Sequence, residues 1–360
     1  MFSEIGSNFW ISPNEGKSGK PLGTPFQFGY QGNDYAWMST GRSATRLVLQ
    51  TIEERNPNCK KVALLPPFTC HTVFEPFMDF GYEIHTMPLA MDLTTSAEQI
   101  LKCQTLCEAG VVLVHRYYGF DTLPGFNQAV LELQKRGVVV IEDCTQCLYS
   151  DFKVSDADYY VASIRKWCGV PDGGFAICKE GFFVHKPNQS DEPMVEAKRI
   201  ASELKYQFIF EGKGDKPTFK AKYREAESLL GQQEVFYAIG NLSAAIQADL
   251  DVDDLKRKRR ANYKVLLEGV QNIPGIKAVF DHFPEDVTPL YFPILVNERG
   301  QIQNLLADND IYAPVVWLKA ENCPAIDENT DLIYKQVLCI PIDQRYDVDD
   351  MQRIVKVIKA

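Results

Sequence analysis

Between residues 39 and 178, short apolar runs alternate with stretches whose apolar residues recur every three or four positions. The runs at 61–65, 82–87, 111–115, 137–142, 159–163 and 174–178 predict strands. The stretch 43–54 places Ala44, Leu47, Val48 and Ile52 on one face and predicts a helix, as do 97–109 and 127–136. Continuous β-branched runs such as 111–115 (VVLVH) imply strands covered on both faces, as in a parallel sheet. The first half therefore reads as a large α/β domain. Residues 1–36 look irregular, rich in Gly, Pro, Asn and Ser. From 193 to 272 the pattern is mostly helical. Beyond 273 it mixes short strands (278–280, 290–296, 312–316) with helices (301–308, 348–358), which suggests a smaller α+β domain. The expected division is 1–250 and 251–360. There is no internal repeat and no linker-like stretch.

The 360 residues suit one large or two moderate domains, at roughly 150 residues per domain. The net charge of −10 opposes nucleic acid or an anionic membrane as the main partner, since both need a basic surface. One basic run, Lys256 to Arg260, follows acidic Asp249, Asp251, Asp253 and Asp254, and reads as a solvated helix with charge pairing. No apolar run approaches the ~18 residues of a membrane helix. Met1 to Trp10 lack the basic-then-apolar order of a signal peptide. Ten cysteines without an export signal point to reduced thiols and a cytoplasmic chain.

Two segments carry the candidate chemistry. Asp143 stands at the C-terminal end of an apolar strand, where open α/β sheets bind ligands. Lys166 follows the next strand. A lysine and an acid suit a Schiff-base cofactor: the amine forms the imine, and the carboxylate keeps a pyridine nitrogen protonated. The plainer alternative is a loop ion pair. Upstream, Ser39-Thr40-Gly41-Arg42-Ser43-Ala44 opens a helix, and a glycine, hydroxyls and free N–H groups there suit a phosphate or a simple N-cap. A P-loop is absent, and no Gly-x-Gly-x-x-Gly follows the first strand, which weighs against nucleotide triphosphate and nicotinamide chemistry.

The order of Thr40-Gly41-Arg42-Ser43-Ala44, Pro66-Pro67-Phe68-Thr69, the Asp143/Gln146 segment, the Lys166 segment and Arg259-Arg260-Ala261-Asn262-Tyr263 resembles the DegT/DnrJ/EryC1/StrS family of pyridoxal phosphate (PLP)-dependent aminotransferases, over roughly residues 35–345. The resemblance implies the type I aminotransferase fold: a large domain with a mostly parallel sheet, a small α+β domain, and a homodimer. It implies that Lys166 binds PLP as the Schiff-base lysine and carries the proton. Asp143 would pair with the pyridinium nitrogen, and Gln146 would contact the 3-oxygen. Gly41, Arg42, Ser43 and Ser163 would hold the phosphate. The substrates would be an amino donor and a keto or aldehyde acceptor, such as a nucleotide-linked keto-sugar. Departures from the family pattern mark a divergent branch. Arg42 stands where Thr is usual. Cys70, followed by His71, stands where an aromatic residue often stacks on the ring, so stacking would pass to His71, Tyr117 or Tyr118. The segment after the lysine reads Pro171-Asp172-Gly173-Gly174. The alternatives are a PLP-dependent lyase, dehydratase or epimerase, and a non-catalytic ligand-binding descendant.

Cys144-x-x-Cys147 lacks a second pair at zinc spacing, and its thiols read as core or wall residues; no metal site is expected. His115-Arg116-Tyr117-Tyr118-Gly119 follows the third strand, where it caps the strand or touches a ligand.

Overall fold

The computed structural model describes residues 4–152, 154–233, 235–319 and 324–360. Met1–Ser3, the head of the segment read for a leader, and Cys323 lie outside the described residues. In chain order the strands are β1 (Ile5–Gly6), β2 (Asp34–Met38), β3 (Val62–Leu65), β4 (Glu83–Thr86), β5 (Val111–His115), β6 (Val139–Asp143), β7 (Tyr159–Ser163), β8 (Gly174–Cys178), β9 (Ile276–Ala278), β10 (Phe292–Val296), β11 (Ile311–Tyr312) and β12 (Val337–Ile340). The α-helices are α1 (Gly41–Arg55), α2 (His71–Asp79), α3 (Ala97–Cys107), α4 (Phe126–Lys135), α5 (Glu192–Tyr206), α6 (Lys216–Gly231), α7 (Asn241–Asp249), α8 (Val252–Val270), α9 (Arg299–Ala307), α10 (Glu328–Gln336) and α11 (Val348–Lys359).

Seven strands form one mixed sheet in the order β2-β8-β7-β6-β5-β3-β4. The fold is α/β, as the alternation predicts. The expected parallel register holds for β3 with β4, β3 with β5, and β5 with β6. It fails for β8, which runs antiparallel to both β7 and β2. The short connection from Lys166 to Gly174 leaves no room for the helical crossover that a parallel pair needs. Strand β4 is also less covered than its neighbours, because it lies at the edge.

The chain forms two compact units. The first comprises residues 1–7, 58–158 and 252–360, and the second 8–57 and 159–251. In the first unit, α2 packs on β4, α3 on β3 and α4 on β6. A second sheet, β12-β10-β9, is antiparallel, and β1 pairs in parallel with β11. One apolar core joins Leu89, Leu93 and Phe120 from the middle of the chain to Tyr263, Phe292, Leu338 and Ile354 from its end. The basic run lies on α8 and is only partly solvated. Lys258 pairs with Asp254 at 2.9 Å and Lys256 with Asp151 at 2.6 Å. Arg259 is instead fully buried, donating to the Leu290 carbonyl at 2.9 Å and to Gln344 at 3.0 Å. A buried guanidinium needs such carbonyl partners to offset lost hydration.

In the second unit, α1 packs on β7 and β8. Its buried face carries Ala44, Leu47, Val48 and Ile52, the four residues that the periodicity selects. Helices α5 and α6 pack together around Ala201, Phe219 and Tyr223. The opening segment is more ordered than its composition suggests. Beyond β1 it holds a 3-10 turn at Pro25–Phe28, and β2 starts inside it. All nine described cysteines are free thiols. No helix among the described residues is long and apolar enough to cross a membrane.

Candidate active site

In the second unit, β7 ends at Ser163 and turns at once into a single 3-10 turn, Ile164–Lys166. Ile164 and Trp167 are buried, which anchors the turn on both sides of Arg165 and leaves Lys166 exposed. The start of α1 lies beside that strand end. A Cβ added at Gly41 would stand 3.4 Å from the Ser163 Cβ, so the helix start lies within van der Waals range of the strand end. Gly174, on β8, brings the three segments together: its own missing Cβ would meet the Ala162 carbonyl oxygen at 2.5 Å and the Gly41 nitrogen at 2.8 Å.

Thr40 is the N-cap of α1, and its hydroxyl accepts the Ser43 N–H at 3.0 Å. The Thr40 hydroxyl also donates to the Ser43 hydroxyl at 3.0 Å. The Ser163 hydroxyl lies 3.4 Å from the Gly173 carbonyl. A helix N-terminus flanked by serine hydroxyls and a glycine fits a phosphate, through its unpaired N–H groups and the positive end of its dipole. Arg42 turns its guanidinium toward the Leu230 carbonyl at 3.3 Å, at the C-terminal end of α6. Just past Lys166, Asp172 is buried with one carboxylate oxygen unpartnered. Burial pushes its pKa up to about 6, against the Ser243 hydroxyl and the Gly240 N–H, which donates to its other oxygen at 2.9 Å.

In the first unit, Asp143 ends β6 and pairs in register with His115 at the end of β5. Its Oδ1 accepts the Thr145 N–H at 2.8 Å. Gln146 is buried, and its amide orientation is set by its partners. Oε1 must accept the Tyr118 N–H at 3.0 Å, so Nε2 donates to His115 Nδ1 at 3.2 Å. That leaves His115 as the neutral Nε2–H tautomer, with Nε2 unpartnered. Burial pulls its pKa down to about 4. Trp317 packs on His115, Tyr117, Tyr118 and Phe68, a wall that the sequence does not announce.

Cys70 is the N-cap residue of α2, where its Sγ accepts from the Thr72 hydroxyl at 3.1 Å. His71 is exposed and pairs with Glu75 at 3.5 Å. Tyr117 and Tyr118 belong to the apolar core. The hydroxyl of Tyr117 donates to the Phe68 carbonyl at 2.9 Å. Cys144 and Cys147 are buried beside Asp143 and Gln146.

Gly41, Arg42, Ser43, Ser163 and Lys166 thus share one unit, and the first three begin the helix that packs on the strand carrying Ser163. Asp143, Gln146, Cys70 and His71 belong to the other. Within the second unit, a helix start, two serine hydroxyls and an amine are of the kind that holds PLP by its phosphate and its aldehyde.

No family model matches the chain, and no curated protein matches it. Solved structures do match in fold. The sugar aminotransferase CalS13 from Micromonospora echinospora is 17% identical, with 100% of this chain and 99% of that chain covered at a TM-score of 0.67. PseC of Helicobacter pylori, an aminotransferase involved in the biosynthesis of pseudoaminic acid, is 13% identical, with 100% and 98% covered at 0.68. The E. coli GDP-4-keto-6-deoxy-D-mannose-3-dehydratase, solved with bound hydrated PLP, is 13% identical, with 99% and 100% covered at 0.68. The chain therefore has the fold of these enzymes over its whole length.

Proposed function

We propose that the chain is a PLP-dependent aminotransferase that moves an amino group from an amino-acid donor to a keto or aldehyde acceptor, such as a nucleotide-linked keto-sugar. The observation that carries this reading is the order Ser163–Lys166 set against the first turn of α1. A phosphate cradle and an amine, four residues of chain, sit where a strand ends. PLP, when bound, supplies an electron sink conjugated to the substrate carbon.

This chain's residues do the rest. The N–H groups of Gly41 and Arg42, with the hydroxyls of Ser43 and Ser163, bind the phosphate. Lys166 holds the cofactor covalently and then carries a proton as acid and base. Asp143 keeps the pyridine nitrogen protonated. Gln146 donates to the 3-oxygen with the N–H that His115 leaves over. Cys70 and His71 border the ring. In this reading residues 1–250 form the cofactor-binding domain and 251–360 the small domain. The enzyme works in the cytoplasm as a homodimer, which sedimentation tests as twice the 40.8 kDa chain mass.

The test begins with visible absorbance on adding PLP, before and after borohydride. A yellow band that borohydride bleaches, with the added mass on Lys166, is the expected outcome. Lys166→Ala should abolish both the fixed cofactor and turnover. The absence of a band would leave a ligand-binding descendant of the fold. The fold match to a dehydratase favours elimination as the second reading. Release of keto acid in step with an aminated acceptor distinguishes transfer from it.

A further inference from the structure

The second unit holds a concentration of charge that the reading above leaves unused. Arg165 comes from the 3-10 turn, Lys198 from α5 and Glu227 from α6. Arg165 Nη2 lies 3.0 Å from Glu227 Oε1, and Lys198 Nζ contacts that same oxygen. Lys166 is within electrostatic reach of both Glu227 and Lys198. Three cations therefore face Glu227, and the buried carboxyl of Asp172 lies within electrostatic reach of Arg165. Arg165 and Lys198 are largely covered by the fold, and Glu227 is not. The side chains of Lys198 and Arg165 are 11% and 20% exposed, and Lys198 also rests over the Tyr223 ring at 5.1 Å. That of Glu227 is 52% exposed.

The electrostatics agree with the geometry. Burial, Arg165 and Lys166 pull Lys198 down to about 8 although Glu227 opposes them. Glu227 is held at about 2: burial raises it, and Arg165 and Lys198 outweigh that. With Asp172 counted, three cations stand against two carboxyls, one of them buried and only partly ionised near neutral pH. An arginine fork beside a lysine is the arrangement that recognises a carboxylate in two-point fashion.

We propose that Arg165 and Lys198 form a carboxylate subsite for the amino-acid donor, occupied by Glu227 when no donor is bound. The assignment of the carboxylate to the donor rests on the aminotransferase reading. Lys166 closes the same 3-10 turn and lies within electrostatic reach of Lys198 and Glu227, which sets the subsite beside the amine. Glu227 leaves for solvent as the donor arrives, and the charge of the cluster is unchanged by the exchange.

The sign of one substitution separates this role from a structural ion pair. Calorimetry on the full-length protein, with 2-oxoglutarate as the probe, measures it. Glu227→Gln removes the internal competitor, so the probe should bind about tenfold tighter, a gain of about 1.4 kcal/mol. Arg165→Leu should abolish probe binding, and Arg165→Lys should retain a weakened part of it. Thermal melts of each variant check that the fold is intact. If Glu227→Gln lowers the melting temperature and leaves affinity unchanged, the cluster is structural and the proposal falls. If PLP displaces the probe one for one, the cluster holds the cofactor's phosphate, and the proposal falls again. PLP uptake is read separately by absorbance. If no PLP binds while Glu227→Gln still tightens the probe, the carboxylate subsite stands and the aminotransferase reading fails.

Discussion

Glu142 and Arg116 illustrate what a single residue carries in this molecule. Both are almost wholly buried in the first unit and contact each other directly. Arg116 also binds Asp121 at 2.8 Å, and the Ser155 hydroxyl contacts the other Glu142 oxygen. Removing Glu142 leaves the buried Arg116 with only the half-exposed Asp121 as counter-ion, so Glu142→Ala should cost about 3 kcal/mol in urea unfolding. Arg116→Met with Glu142→Leu should recover most of that loss. Asp172 gives a second prediction with a definite sign. Its folded pKa is raised to about 6 from 3.8. Below the unfolded value both states hold the proton and burial costs nothing extra. As pH rises through the folded value, the native state must ionise a buried group, and stability is lost by up to about 3 kcal/mol. Asp172→Asn still accepts the Gly240 N–H, so its advantage over the parent should grow by that amount between pH 3 and pH 8. Urea midpoints at the two pH values measure it, and a pH-independent gap would refute the assignment. At this scale the sequence is a partial guide. It puts Lys166, Asp143 and Ser163 at strand ends, because apolar runs end where those polar residues begin. It cannot say that Gln146 is tied to His115, that Arg42 turns to Leu230, or that Glu227 meets Arg165, since each pairing joins segments far apart in the chain.

The elements were legible to the extent that burial is two-sided. Strands β5, β7 and β8 match their apolar runs to the residue, and α1 differs from the expected 43–54 only at its ends. Strand β2 hid because it alternates buried and half-buried positions behind a Gly- and Pro-rich segment. Helix α2 hid because Pro76 interrupts its pattern. The antiparallel entry of β8 was also invisible, since a fully buried run looks alike in either direction. The joint of α1, β7 and β8 is where an element-scale test belongs. Gly174→Ala places a Cβ against the Ala162 carbonyl and the start of α1, which must shift. Overpacking of this kind costs about 1–3 kcal/mol. Because the shift moves the phosphate cradle, PLP affinity should fall about tenfold or more, in line with 1.4 kcal/mol per factor of ten. A titration of the visible band checks it. Thr40→Ala, which removes only the cap, should lower stability by about 1 kcal/mol.

At the scale of the whole chain, the two compact units are interleaved: the polypeptide passes between them after residues 7, 57, 158 and 251. The passage at 251/252 lies beside the boundary expected from the change in hydrophobic pattern, but the other three leave no trace in composition, because each falls between elements of ordinary polarity. The first unit's core needs both ends of its share of the chain. Leu89, Leu93, Tyr117, Tyr118 and Phe120 are covered by residues from α8, β10, β12 and α11. A fragment of residues 1–250 would expose all five to water, at about 25 cal/mol per Å² of apolar surface. It would also leave β1 without β11, its parallel partner. Residues 58–158 of the fragment should therefore lose the hydrogen-exchange protection they have in the full chain, whereas residues 8–57 and 159–250, almost all of the second unit, can keep theirs. Supplying residues 251–360 in trans should restore that protection, because the missing surface is then present. Protection of residues 58–158 in the fragment alone would mean that the middle of the chain buries its own apolar face, and that the C-terminal helices are an accessory to the first unit and not part of its core.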